Sequence, residues 1–245
     1  MGLTHEIELQ RDYYARTASR YEDLHVRDGD EHYFALAWLA ALIGHYGFRS
    51  ILDVGSGTGR GLLYLKTMFP DLRVAGVEPS PDLRKIGHDK GLSQEELADG
   101  DAMNLAFADS SFDLVCEFGV LHHVKFPRQM IGEMLRVAKS GIFISDSNHF
   151  ACGSLPSRIT KRLLRRTHLW KAAYWLRTGG KGYTISDGDG LSYAYSVFDD
   201  YDYIRSCCGH VNMVNTCGNG ADPFRSAQNV ALFARKDQSL LQGRL

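Results

Sequence analysis

ILDVGSGTGR, the stretch at positions 51–60, decides how the rest of the chain is interpreted. Residues 51–54 are typical of a buried strand, alternating glycines follow at Gly55, Gly57 and Gly59, and leucines at helical spacing come next. Glycine adopts backbone conformations that other residues avoid, and a helix N-terminus offers unpaired N–H groups to a ligand. The stretch therefore predicts a strand, a tight ligand-binding turn and a helix.

Strand and helix patterns alternate on the carboxyl side of this turn. The alternation predicts parallel strands with crossover helices, which is an α/β doubly wound sheet. Two final strands are expected to form an antiparallel pair and bring the sheet to seven strands. A further strand is expected at 192–197, where Tyr193, Tyr195 and Val197 alternate with small residues. The expected sheet strands are 51–54, 72–77, 96–98, 112–116, 141–145, 210–216 and 230–235, with helices at 59–69, 81–88, 126–137 and 198–208.

We expect residues 1–245 to form a single domain of four segments. Residues 1–47 are predicted to be helical, and the aromatic residues near Tyr13 and Tyr21 favour a lid over a site. The core that binds the ligand should span 48–146, and a basic helical insertion should cap it over 147–190. The rest of the sheet should come from 191–245.

Bulk composition excludes several classes of protein. The chain holds 28 Lys and Arg against 29 Asp and Glu, so the net charge of −1 predicts no general attraction to nucleic acid or membranes. No apolar run is long enough to span a bilayer, and the N-terminal residues lack the pattern of a signal peptide. Five cysteines without paired spacing argue against a disulfide framework. These features predict a reduced, cytoplasmic protein.

The insertion carries a local excess of positive charge. Seven Lys and Arg lie within 158–177, on a predicted helix from 156 to 177. This segment is either a solvated helix face or a binding surface for a phosphate-bearing substrate, a carrier protein or a membrane. RNA is a weaker alternative, because the rest of the chain has no excess of positive charge.

The glycine turn does not fit a dinucleotide site well. Such a site requires Gly-x-Gly-x-x-Gly, but Arg60 occupies the third position and Gly59 comes one residue early. Asp53, in the strand before the turn, has no role beside a pyrophosphate. A carboxylate there suits a ligand that carries an ammonium group.

The stretch 52–59 resembles the first motif of the class I S-adenosylmethionine-dependent methyltransferases. Further motifs follow in the family's order: Glu78-Pro79 after the second strand, Gly100-Asp101-Ala102, then 112–115 and 121–124. The resemblance implies that S-adenosyl-L-methionine is the cofactor, with Glu78 on the ribose hydroxyls and Asp101 on the adenine amine. The cofactor residues that it implies are Asp53, Gly55, Ser56, Gly57, Gly59, Glu78, Pro79, Asp101, Ala102 and Glu117.

Catalytic candidates should lie at the carboxyl ends of the strands, where open α/β sheets bind ligands. Glu117 directly follows the fourth predicted strand, and His122 and His123 lie in the next loop. Imidazole is suited to accept a proton near neutral pH, so either histidine is a candidate general base. The alternative is that both are structural residues at a helix start.

We predict no metal, although Glu117, Asp146 and Asn148 together offer oxygen ligands that suit Mg²⁺. The run from Asp187 to Gly190 is interpreted as a turn, because it lacks the later ligands of a calcium loop. The predicted reaction is methylation of a small molecule, at an oxygen of a sugar or secondary metabolite. Methylation of nitrogen is the alternative, or of the phosphate-bearing, carrier-bound or RNA acceptors that the basic insertion suits.

Overall fold

The structure is a computed structural model that describes residues 3–21 and 30–237. Seven strands form one sheet: β1 Ser50–Val54, β2 Arg73–Val77, β3 Leu97–Ala98, β4 Phe112–Phe118, β5 Ala138–Ser147, β8 His210–Asn215 and β9 Asn229–Arg235. Their order in the sheet is β3-β2-β1-β4-β5-β9-β8, and β9 is antiparallel to both of its neighbours. The predicted doubly wound, Rossmann-like sheet with a final antiparallel pair is thus confirmed.

Helices cover both faces of the sheet, because neighbouring residues of each central strand point to opposite faces. The helices are α1 Leu3–Thr17, α2 Glu31–Tyr46, α3 Arg60–Met68, α4 Pro81–Asp89, α5 Pro127–Val137, α6 Leu155–Arg166, α7 Trp170–Arg177 and α8 Tyr201–Cys207. Ile51 belongs to one buried cluster, with residues of α2 and α3, and Leu52 belongs to the other, with residues of α5 and α8. No helix of the described residues is long and apolar enough to cross a membrane.

The structure departs from the predicted elements in two places. The helix predicted over 156–177 is two helices, α6 and α7, and His168 between them has a left-handed φ of 61°. The strand predicted at 192–197 is also wrong. A helical turn, Val197–Asp199, begins there instead, because the side chains of Ser196 and Asp199 each accept a backbone N–H in a capping box.

A short hairpin that the pattern did not reveal connects the insertion to the N-terminal helix. It consists of β6 Thr184–Ser186 and β7 Gly190–Ser192, joined by the turn that was predicted at 187–190. The side chain of Gln10 in α1 accepts a hydrogen bond from the N–H of Leu191 at 2.7 Å. Helix α1 and this hairpin therefore meet above the carboxyl edge of the sheet.

Candidate functional site

The backbone conformation of the glycine turn explains why its glycines are spaced differently from those of a dinucleotide site. Gly55, Gly57 and Gly59 have φ values of 77°, 54° and 74°, all in the left-handed region that favours glycine. The N–H groups of Gly55 and Ser56 both donate to the carbonyl of Val77, at 2.8 and 3.1 Å, which fixes the turn to the end of β2. Three alternating left-handed residues require glycine at alternate positions.

Two buried carboxyl groups flank the turn. Asp53 lies 3.8 Å from the Sγ of Cys116 and forms no ion pair with any described residue. Glu78 accepts the N–H groups of Gly57 at 3.0 Å and Ser80 at 2.8 Å. Burial raises the pKa of each carboxyl to about 7. A cation bound in this site would therefore stabilise the ionised forms of these two carboxyl groups.

The N-terminal region covers this turn. A Cβ added to Gly57 would lie 3.0 Å from the hydroxyl of Tyr21, whose ring packs edge-on against that of Tyr14 at 5.9 Å. Arg60, at the start of α3, pairs with Asp30 at 2.8 Å. These contacts place tyrosines and an ion pair over the predicted cofactor position.

A cavity of about 600 Å³ extends from the glycine turn to the carboxyl ends of β4 and β5. Asp53, Gly55 and Ser56 line one end, and His122 and His123 line the other. This volume is typical of small-molecule and cofactor sites. Several other lining residues lie outside the predicted set: Tyr14, Tyr21, His32, Asp146, His149, Asp189 and Tyr193.

The two histidines are held by different partners. Nδ1 of His122 donates to the buried carboxylate of Asp146 at 2.7 Å. Nδ1 of His123 contacts the carbonyl oxygen of Leu191 at 2.6 Å, and a carbonyl can only accept, so this nitrogen carries the proton. Both rings consequently present Nε2 to the same carboxylate, that of Asp189, each at 3.5 Å.

These partners shift the pKa values of the two histidines in opposite directions. Burial alone would lower the pKa of His122, but Asp146 and Asp189 raise it well above its ordinary value. Burial, together with the charge of its neighbour His122, lowers the pKa of His123 to about 4. The surroundings therefore favour a proton on His122 and make His123 the less basic of the two rings.

A metal ligand set also exists in the cavity, but not the one considered from the sequence. Possible ligand atoms of His122, His123 and Asp189 lie within 4.8 Å of one another. Glu117 instead accepts the N–H groups of Val120 at 2.8 Å and Ser145 at 3.1 Å. A cation bound there would have to compete with the proton that Asp146 and Asp189 favour on His122.

Comparison with known proteins places this cavity in a family context. Residues 52–145 match the family model described as a methyltransferase domain. The chain is 34% identical to ajmaline N-methyltransferase of Rauvolfia serpentina over 41% of its own length and 36% of that protein. It is 30% identical to an uncharacterized methyltransferase of Mycobacterium leprae over 61% of its own length and 58% of that protein. The chain thus spans less than two thirds of either relative.

The fold matches a solved structure over nearly its whole length. A structure described as a SAM-dependent methyltransferase from Thermotoga maritima aligns with a TM-score of 0.57 and 18% identity, covering 92% of this chain and 99% of that one. Residues 52–145 therefore resemble a methyltransferase domain in sequence, and the chain shares its fold with this solved structure. The glycine turn lies inside the matched region.

Several predicted residues lie outside the cavity lining: Gly57, Gly59, Glu78, Pro79, Asp101, Ala102 and Glu117. Asp101 is exposed and accepts the N–H of Met103 at 2.8 Å, while Pro79 is exposed and Ala102 is partly buried. Glu117 is fully buried and holds the loop before His122. Its pKa is raised by burial and by Asp146, and its role in cofactor binding or catalysis stays a prediction.

Sequence reasoning missed several lining residues of the insertion. Asp189 was assigned only to a turn, and His149 was not singled out although its Nε2 is buried without a partner among the described residues. Tyr193 lines the cavity, whereas Tyr195 is buried in the core. Asn148, considered from the sequence as an Mg²⁺ ligand, is buried and lines a second cavity beside the arginines of α6.

Proposed function

We propose that this protein transfers the methyl group of S-adenosylmethionine to an oxygen of a small-molecule acceptor. The observation that carries the proposal is the single cavity that connects the glycine turn and Asp53 to the two histidines. It supplies a place for the cofactor and, next to it, groups that exchange a proton. An alcohol must lose its proton on methylation, so both are required.

The residues at the turn fit the cofactor. Asp53 is a buried carboxylate without an ion-pair partner among the described residues, and it suits the ammonium group of the cofactor's methionine part. The turn's glycines leave room that a Cβ at Gly57 would take up against Tyr21. Glu78 would hold the ribose hydroxyls. Bound S-adenosylmethionine supplies a methyl group that is already activated on a sulfonium.

The chain's own catalytic contribution is alignment and proton removal. Alignment in a closed cavity is worth up to about 7–11 kcal/mol in favourable cases. Nε2 of His123 accepts the acceptor's proton, since its Nδ1–H is held by Leu191. His122, held as a cation by Asp146, orients the acceptor oxygen and Asp189. Helix α1 closes the cavity as a lid.

A conservative variant tests the role of His123. His123→Asn keeps a donor near the Nδ1 position and removes Nε2. We expect cofactor affinity in calorimetry to stay unchanged and the release of S-adenosylhomocysteine with hydroxyl acceptors to fall about 10²–10⁴-fold. His88→Asn is the matched control, because His88 also contacts a backbone carbonyl, that of Leu92 at 3.0 Å, but lies outside the cavity.

The two possible failures are distinguishable. If the wild-type chain does not bind S-adenosylmethionine, the proposed function is wrong. If it binds cofactor and the His123→Asn variant is as active as the His88→Asn control, the base assignment alone is wrong.

Nitrogen methylation is a second candidate, favoured by the charge of the cavity. Its lining includes carboxylates at Asp30, Glu31, Asp53, Asp146 and Asp189 but, among lysines and arginines, only Arg60 in the described part of the chain. Such a lining attracts an amine acceptor, and one relative is named an N-methyltransferase. A matched panel of amine and alcohol acceptors separates the candidates by which class gives product.

We also propose that the protein is located in the cytoplasm. All five cysteines are free thiols, as expected in a reducing compartment. Cys207 ends α8, and Cys208 beside it is buried.

A further inference from the structure

The insertion concentrates the positive charge of the chain. Positions 147–186 contain eight of its 28 Lys and Arg and none of its 29 Asp and Glu. Helices α6 and α7 lie within this segment. A chain with a net charge of −1 therefore presents one strongly cationic cap.

The inward face of the cap is fully used in packing. Lys161 is buried, and its Nζ donates to the carbonyl oxygens of His149 and of Cys152, the latter at 2.9 Å. The rings of Trp170 and Tyr174 pack against His149, with centroids 5.5 and 6.0 Å away. These contacts fix which side of α6 and α7 faces away from the protein.

The outward face carries a row of large apolar side chains. Leu155, Ile159 and Leu163 follow one another at four-residue spacing on α6, which places them along one line of the helix. Together with residues of α7 and its N-cap they are between 49% and 70% exposed: Leu155, Ile159, Leu163, Leu169, Trp175 and Leu176. A single exposed leucine needs no explanation, but a contiguous row marks an interaction surface.

Arginines lie within and beside this row. At 3.6 residues per turn, Arg166 and Arg162 are about 20° and about 60° around the helix from Ile159. A second cavity, of about 520 Å³, opens beside them and is also lined by Arg165, Arg225 and three phenylalanine rings. Guanidinium groups match the geometry of phosphate oxygens, so this groove suits a phosphate group.

We propose that the outward face of α6 and α7 is a membrane-binding surface for anionic phospholipid, with lipid phosphate in the arginine groove. Apolar side chains flanked by Lys and Arg are the pattern of helices that lie in a membrane interface. RNA offers no apolar phase for the exposed leucines. A second copy docked face to face would bring two cationic caps together.

The surface is adjacent to the acceptor end of the main cavity. His149 lines that cavity and also packs under Trp170 of α7. An acceptor at the membrane surface would therefore reach the histidines over a short path. This last step rests on the proposed function, whereas the membrane contact itself does not.

The test is co-sedimentation of the full chain with vesicles, without cofactor or acceptor. Vesicles of phosphatidylcholine alone are compared with vesicles of phosphatidylcholine and phosphatidylglycerol. We expect binding to the anionic vesicles only, with weakening at high salt. The double variant R162Q/R166Q should reduce partitioning roughly 30-fold, at about fivefold per cation. Leu163→Ser should weaken binding without changing its salt dependence.

The control variant K139Q/R205Q removes the same charge from elsewhere on the surface. Calorimetric binding of S-adenosylhomocysteine checks that each variant is folded, and its failure in the wild type would refute the proposed function without affecting the vesicle result. Equal partitioning of R162Q/R166Q and K139Q/R205Q, or no binding of the wild type to anionic vesicles, overturns the proposal. So does a dimer that Leu163→Ser dissociates, or salt-dependent binding to RNA in place of vesicles.

Discussion

Neutralising the buried acid before the glycine turn should stabilise the free protein and impair cofactor binding. Burial raises the pKa of Asp53 from 3.8 to about 7. Three powers of ten in an ionisation constant correspond to about 4 kcal/mol. The unfolded chain ionises at its ordinary pKa, so the folded state loses this stability as pH rises from about 4 to about 7. Above that range the full cost is present.

The Asp53→Asn variant removes this cost. An amide in the same place leaves some hydrogen-bonding capacity unmet, at about 1–2 kcal/mol, so the net gain at pH 8 should be about 2–3 kcal/mol. At pH 4 the variant should be no more stable than the wild type, because Asp53 is then protonated in the folded chain. Urea unfolding followed by circular dichroism at both pH values measures the difference.

Cofactor binding should change in the opposite direction. Loss of a hydrogen bond between charged groups costs about 1.5–3 kcal/mol, so affinity should fall roughly 10–150-fold in calorimetry. Asp99→Asn is the control, since Asp99 is exposed and pairs with Arg84 on the surface. An Asp53→Asn variant less stable than wild type at pH 8, with unchanged affinity, would refute the reasoning.

Three further predictions concern the turn, the histidine pair and the lid. Gly57→Val should abolish cofactor binding in calorimetry, because it places a branched side chain at φ 54° and against Tyr21. Asp146→Asn should lower the pKa of His122 in an NMR titration, since the carboxylate that stabilises the imidazolium is removed; an unchanged value would contradict the pairing. Gly190→Val should speed hydrogen exchange in α1, because its Cβ would lie 2.7 Å from the Gln10 side chain; unaltered exchange would contradict the packing of the lid.

The sheet could be predicted well because its signals are local. Buried parallel strands are continuous apolar runs, and Pro or Gly marks their ends. The failure at 192–197 shows the limit of such patterns. Tyr193 and Tyr195 alternate as in a strand, but the capping box of Ser196 and Asp199 starts a helical turn. At that point the hydrogen bonds of the capping box decided the local structure, and the alternation of the tyrosines did not.

The acceptor end of the site could be predicted only in part. His122 and His123 were identified from their position after β4, but adjacent residues of the same type gave no sign that their protonation states differ. That difference depends on Asp146 in β5 and on the carbonyl of Leu191, which is 68 residues from His123. Asp189 reaches the pair only because the hairpin docks on α1. These are tertiary relations that no short motif encodes.

The charges at the two ends of the cavity imply different states before and after ligand binding. Asp53 and Glu78 have pKa values raised to about 7 by burial, so both are partly protonated at neutral pH in the free chain. Asp146 is already paired with a cation, His122, and its pKa is lowered. A cationic cofactor would therefore displace protons at the glycine turn and leave the histidine end unchanged. The proposed function then leaves His123, rather than an ionised group of the cofactor end, to take the proton that the acceptor loses.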